Sequence, residues 1–169
     1  RYFDASAAVY VITNEDIRRT GATSVMDALR MAPGLEVANF SSNSWAISSR
    51  GFNEIFANKL LVLVDGRSIY SMVFSGVNWG NQDIMTEDID RIEIIRGPGA
   101  SLWGANAVNG VINIITKSSQ KTQDGLVTGG VGSLERGFSS VRYGGKLDNG
   151  ITYRAFGKYT NKNANKDIP

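Results

Sequence analysis

The sequence predicts an α+β fold: a small mixed sheet with short helices, followed by a run of antiparallel strands. Three observations lead there. The continuous apolar runs Leu60–Val64 (LLVLV) and Gly110–Thr116 (GVINIIT) read as strands buried on both faces. The two full helices signalled by start and stop residues both lie before Leu35. After Lys117 the pattern becomes Gly-rich and alternating, with no helix signals. A chain of 169 residues, 42% of them hydrophobic, suits one globular domain and a fraction of another.

Taken in order, Ala7–Thr13 reads as a strand closed by a helix start, since Thr13 and Asp16 have capping-box spacing, with Asp a weaker partner than Glu. The helix over Glu15–Arg19 stops at Gly21, which can take positive φ. A second helix opens at Thr23 or Ser24, with Val25, Ala28 and Leu29 at helical spacing, and is expected to run until Pro33-Gly34. Leu35–Ala38 is extended, Asn39–Trp45 is a polar loop carrying Phe40 and Trp45, and Ala46–Phe52 is extended again. Asp65-Gly66 turns the buried strand into a long loop over 68–82 that holds Tyr70, Phe74 and Trp79. Thr86–Ile89 reads as a capped helical turn, Arg91–Arg96 as a strand broken by Gly97-Pro98-Gly99.

Residues 118–124 form a polar linker. Beyond it a strand near 125–132 joins a second one carrying Val141 and Tyr143, and Asp148-Asn149-Gly150 is a tight hairpin signal into a third. Along that third strand Ile151, Tyr153, Ala155, Gly157 and Tyr159 fall on one face, and Thr152, Arg154, Phe156, Lys158 and Thr160 on the other. Three hairpin-linked strands cannot close on themselves, so one is left at an open edge. Such alternation serves a membrane barrel and the edge of a soluble sandwich alike.

Composition removes most catalysts. With no Cys there is no disulfide, thiolate nucleophile or Cys-based metal site, and with no His there is no Ser-His-Asp triad or imidazole ligand. The lack of Cys also fits an oxidising compartment. The segment Arg96–Gly104 (RGPGASLWG) fails as a dinucleotide loop because Leu102 stands where the third Gly belongs. It fails as a phosphate loop because Ala105-Asn106 replace the Lys-Ser/Thr that would hold the charge. Glu87, Asp88 and Asp90 crowd one turn instead of facing each other across a cleft, so no carboxylate hydrolase is indicated. The charge is uneven: residues 1–118 hold 10 basic and 12 acidic side chains, residues 119–169 hold 8 and 4. Arg50, Arg67, Arg91 and Arg96 need acidic partners, either within the domain (Asp65, Glu93 and their neighbours) or beyond it. The loop aromatics Phe40, Trp45, Tyr70, Phe74 and Trp79 either bind a ligand or pack their loops down.

Four segments in this order are VYVITNEDIRRTGATSVMDALRMAPGLEV (Val9–Val37), SRGF (Ser49–Phe52), LLVLVDGR (Leu60–Arg67) and DIDRIEIIRGPGASLWGANAVNGVINIITK (Asp88–Lys117). Together they resemble the plug domain of TonB-dependent outer-membrane receptors. The resemblance implies a plug over residues 1–118 and, over 119–169, the first three strands of a barrel of about 22 strands. It further implies a gated importer with no enzymatic activity and no cofactor of its own. The expected location is the bacterial outer membrane, with the plug inside the barrel lumen above the periplasm. Expected partners are the barrel itself, outer-membrane lipid, a metal chelate (ferric siderophore, cobalamin or haem) and the TonB energy transducer, whose box is expected upstream of Arg1. No nucleic acid is expected. By position the apical, ligand-facing loops are Asn39–Trp45, Asn53–Asn58 and Ile69–Trp79, placing Phe40, Trp45, Tyr70, Phe74 and Trp79 as binding residues. Arg50 and Arg96 match the family's arginines that pair with barrel glutamates. The alternative is a soluble ligand-binding or adhesion module that uses the aromatic loop 69–79.

Overall fold

The computed structural model describes residues 8–41, 44–49, 59–73, 75–97, 103, 107–132 and 135–162. The chain divides into two compact units, one ending at Thr116 and the other beginning at Lys117.

The first unit opens with strand β1 (Ala8–Thr13) and helix α1 (Asn14–Thr20). The capping box forms as its spacing predicts. The Asp16 amide donates to the Thr13 hydroxyl at 3.2 Å, and the Asp16 carboxylate accepts from the Thr13 amide at 2.9 Å and hydroxyl at 2.6 Å. Those bonds, the side-chain one first, hold the Asp16 carboxyl below the usual carboxylate range. Gly21 ends the helix in the left-handed region at φ 69°. Helix α2 (Val25–Leu29) is capped by Ser24, which accepts from the Asp27 amide. It stops at Arg30, short of the Pro33-Gly34 break, because Met31 and Ala32 already make the tighter i→i+3 bonds of a turn.

Strands β2 (Leu35–Ser41) and β3 (Ser44–Ser49) form an antiparallel hairpin. This corrects the expected polar loop over Asn39–Trp45: Asn39 pairs with Trp45 as part of the ladder. Strand β4 (Leu60–Val64) is buried as its composition predicts. The expected loop over 68–82 is broken into short pieces: β5 (Arg67–Ser68), β6 (Tyr70–Ser71), β7 (Gly76–Val77) and a 3₁₀ turn over Trp79–Asn81. A second 3₁₀ turn, Thr86–Asp88, has no side-chain cap, unlike the capped turn the sequence suggests. It leads into β8 (Ile89–Arg96), and β9 (Gly110–Thr116) completes the unit.

Five of these strands make one mixed sheet in the order β1-β8-β9-β4-β5, with β4 parallel to β9 and the other pairs antiparallel. Register decides the core. Ile12, Ile92 and Ile114 form one cross-strand row, and Tyr10, Ile94, Ile112 and Val62 the next. They share a buried cluster with Ile17 of α1, Val25 and Leu29 of α2, and Trp45 and Ile47 of β3. Each such isoleucine contributes about 2 kcal/mol through removal of its apolar area from water. The opposite sheet face carries a smaller cluster of Leu61, Leu63, Val111 and Ala107. Asn14 ties the helical segment to the sheet by donating to the carbonyls of Thr86 and Ile89 at 3.1 and 2.7 Å.

The second unit starts with a 3₁₀ turn, Ser119–Lys121, followed by β10 (Asp124–Gly130), β11 (Glu135–Lys146) and β12 (Thr152–Lys162) in one antiparallel sheet. The hairpin at Asp148-Asn149-Gly150 closes through Gly150 N–H to the Leu147 carbonyl, with Gly150 at φ 85°.

Candidate functional site

The aromatic residues marked by the sequence separate into two groups. Trp45 and Trp79 are 5% and 3% exposed and belong to the same buried cluster. Trp45 is inward-facing on β3 because the hairpin, not a loop, sets its direction, and the 3₁₀ turn of Trp79 packs against that strand. The Arg30 guanidinium covers the outer side of Trp45, 5.4 Å from its ring centroid. Both tryptophans therefore hold the loops down, and neither offers a face to a ligand in this arrangement. Phe40, near the tip of the β2–β3 hairpin, is 44% exposed, and Tyr70 is half-buried. Phe74 and the loop Asn53–Asn58 lie outside the described residues.

Two residues not singled out in the sequence stand beside Tyr70. The β6–β7 hairpin pairs Tyr70 with Val77 and Ser71 with Gly76, and projects Met72 and Val73 at 88% and 85% exposure. Met72 and Val73 are thus two adjacent, strongly exposed apolar side chains beyond the paired residues of this hairpin. Their sequence signal is weak, because two-residue strands leave almost no alternation to read.

The arginines also divide. Arg91 is satisfied inside its own domain, donating to Asp90 and Glu93 at 2.8 Å each. These bonds, Glu93 first, raise its already high pKa. Glu93 also accepts from Asn113 across the ladder at 3.3 Å. Asp65 serves the turn instead of an arginine, accepting from the Thr116 amide and hydroxyl at 2.8 Å each. Arg67 is exposed. Arg96 closes β8 between Ala8 and Gly110, and its Nη1 donates to the Pro33 carbonyl at 3.0 Å. Its Nε is buried, and among the described residues it has no hydrogen-bond partner and no carboxylate pairs with it. Arg50 lies outside the described residues.

In the second unit, register gathers the paired charges on one face. One face carries Gly125, Tyr143, Ala155, Val127, Val141, Gly157, Gly129, Ser139, Tyr159, Gly145 and Tyr153, with no charged residue. Val127, Val141, Tyr143 and Tyr159 are all exposed, and Tyr143 and Tyr153 pair at 6.5 Å between centroids. Asp124, Arg142, Lys146, Arg154 and Lys158 fall on the other face together with Leu126, Phe138 and Phe156, and there Thr128 and Ser140 share a short hydrogen bond. Outward apolar and inward polar is the division a membrane-barrel strand requires. Among the described residues no helix is long and apolar enough to cross a membrane, which does not bear on strands.

Comparison with known proteins agrees with this geometry. Residues 2–111 match the TonB-dependent Receptor Plug Domain. The vitamin B12 transporter BtuB of Vibrio vulnificus is 38% identical over 141 residues, covering 80% of this chain and 22% of that protein. The iron-regulated outer membrane virulence protein of Vibrio cholerae is 36% identical over 130 residues, or 73% of this chain and 19% of that one. Among solved structures, the siderophore receptor PirA of Acinetobacter baumannii superimposes with a TM-score of 0.66 at 26% identity, over 90% of this chain and 24% of that one. The ferric yersiniabactin uptake receptor FyuA of Yersinia pestis gives 0.65 at 25% identity, over 89% and 24%. The chain thus spans about a fifth to a quarter of the length of these relatives. They are transporters and receptors, not enzymes.

Proposed function

Because the chain belongs to the TonB-dependent receptor plug family, we propose that it gates the energised uptake of a metal chelate through an outer-membrane barrel. The family match over residues 2–111, running directly into a sheet with one uncharged face, carries this reading. Residues 1–118 are the plug, seated in the lumen above the periplasm, and residues 119–169 begin the barrel wall. The uncharged face meets lipid, and the face with Arg142, Arg154 and Lys158 meets the lumen. Family membership takes away the ground for a soluble adhesion module.

Cobalamin and ferric siderophores are the two leading cargoes, since the named relatives carry one or the other. The cargo brings its own metal, so the plug supplies contact area and not ligands. Phe40, Tyr70 and Phe74 are the aromatic contacts, and Trp45 and Trp79 hold their own segments in the core. Arg96, with Arg50, locks the plug to acidic residues of the barrel; its unsatisfied Nε supports that role. TonB pulls on a segment upstream of Arg1. The part before Val37 opens first, because β1 is an edge strand with one neighbour while β9 is held on both sides. Growth of a deletion strain on cyanocobalamin, or on single iron chelates, with and without the gene identifies the cargo. Unchanged growth on every chelate would refute the transport reading.

A further inference from the structure

Between Thr116 and β10 the chain makes a compact turn that satisfies itself. The amides of Lys121 and Thr122 donate to the carbonyls of Ser118 and Ser119, and the Gln123 side chain donates to the Ser119 carbonyl. The turn is also bolted to the sheet it leads into. Arg154 Nη1 donates to the Lys117 carbonyl at 2.9 Å, and the hydroxyls of Ser119 and Thr152 share a hydrogen bond of 2.7 Å. Thr122 is buried. Gly144 makes the seat: a Cβ there would fall on the Thr122 carbonyl oxygen and lie 2.8 Å from the Thr122 carbonyl carbon and 3.0 Å from Gln123 Cα. All of these atoms are backbone and cannot swing aside. At the preceding residue, Thr116, the Asp65 carboxylate holds both the amide and the hydroxyl.

We infer that residues 117–123 are a fixed anchor, which stays seated on the face of β11 and β12 that carries Gly144 and Arg154 while the plug before it rearranges. The inference rests on the transport reading above. A turn with its own hydrogen bonds made, two side-chain ties and a glycine-shaped seat has little to gain from leaving the wall. Load applied at the N-terminal end then reaches β1, with one neighbour, before it reaches the clamped end of β9. Gly144 and Arg154 act as positioning residues: they touch no cargo and set where the plug's fixed end lies.

These 169 residues hold no cysteine, and any cysteine elsewhere in the full-length receptor is replaced by serine before the test. In the full-length receptor, Ser119→Cys/Thr152→Cys places two thiols at the hydroxyl pair, within disulfide reach. A second pair, Val11→Cys/Glu93→Cys, joins register partners of β1 and β8. Uptake of radiolabelled cyanocobalamin, or of ferric enterobactin if the wild-type receptor takes that instead, is measured oxidised and reduced. The anchor pair is expected to cross-link in cells and transport equally in both states, while the β1–β8 pair loses uptake on oxidation and regains it on reduction. Loss of uptake on oxidising the anchor pair would overturn the inference, and so would failure of that pair to cross-link. Adding Gly144→Ala should abolish the anchor cross-link; an unchanged yield would also overturn it. The cross-link yields do not depend on cargo, so they judge the anchor even if the wild-type receptor takes up neither chelate; growth unchanged on every chelate would count against the transport reading alone.

Discussion

Gly110→Ala is the substitution whose cost follows most directly from the backbone. Gly110 opens β9 at φ 148°, between Arg96 of β8 and Leu60 of β4. A Cβ there would stand 2.5 Å from the Ile95 carbonyl oxygen, so the two strands would have to part by about 1 Å to restore ordinary contact. Strain at this φ costs about 2 kcal/mol, and a weakened ladder bond about 1 kcal/mol more. The sum, about 3 kcal/mol, is a large share of a domain stability on the order of 10 kcal/mol. Gly21→Ala is the control, because Gly21 has φ 69° but nothing lies within 4 Å of where its Cβ would stand. It should cost only about 1 kcal/mol, from φ alone. Urea titration of the chain in mild detergent, followed by fluorescence of the buried Trp45 and Trp79, reads both. Expected midpoint shifts are about 1.5 M for Gly110→Ala and about 0.5 M for Gly21→Ala. Equal shifts would refute the steric argument, and no shift at Gly110 would refute the register of β8 and β9.

Other expectations follow from the same contacts. Trp45→Ala should destabilise the plug by about 4 kcal/mol through a core cavity, whereas Phe40→Ala, at an exposed tip, should leave the urea midpoint unchanged and weaken cargo binding measured by titration. Asp65→Asn should speed hydrogen exchange at the Thr116 amide, since a neutral amide accepts more weakly than the carboxylate does. The Asp16 carboxyl is depressed in the fold, so its stabilisation is present above the unfolded-state value and is lost as pH falls through the folded one. Asp16→Asn should remove that part of the acid sensitivity, seen as a flatter dependence of the urea midpoint on pH. Arg96→Ala should loosen the α2–β2 connector through loss of the Pro33 bond, detected as faster exchange around Leu35.

Much of this is legible in the residue order. The buried strands β4 and β9, the capping box at Thr13, the Gly21 stop and the hairpin at Asn149-Gly150 depend on neighbours within a few positions, where propensity and hydrogen bonding are local. The uncharged face of the last three strands is legible too, because a period of two fixes the side once one residue is placed. The hairpin at β2–β3 is not. Asn39, Phe40, Ser41 and Ser44 read as a polar loop, and only pairing with a partner strand makes them a ladder. That pairing turns Trp45 inward and leaves Phe40 outside, a decision no local rule could make. The fate of each arginine is likewise tertiary. Arg91 and Arg96 lie on one strand, yet Arg91 meets two carboxylates beside it while Arg96 reaches the Pro33 carbonyl, 63 positions away. Residue order determines which groups are carried and how often they recur along the chain; which of them meet, and which are left with a donor to offer, is settled only when distant segments pack.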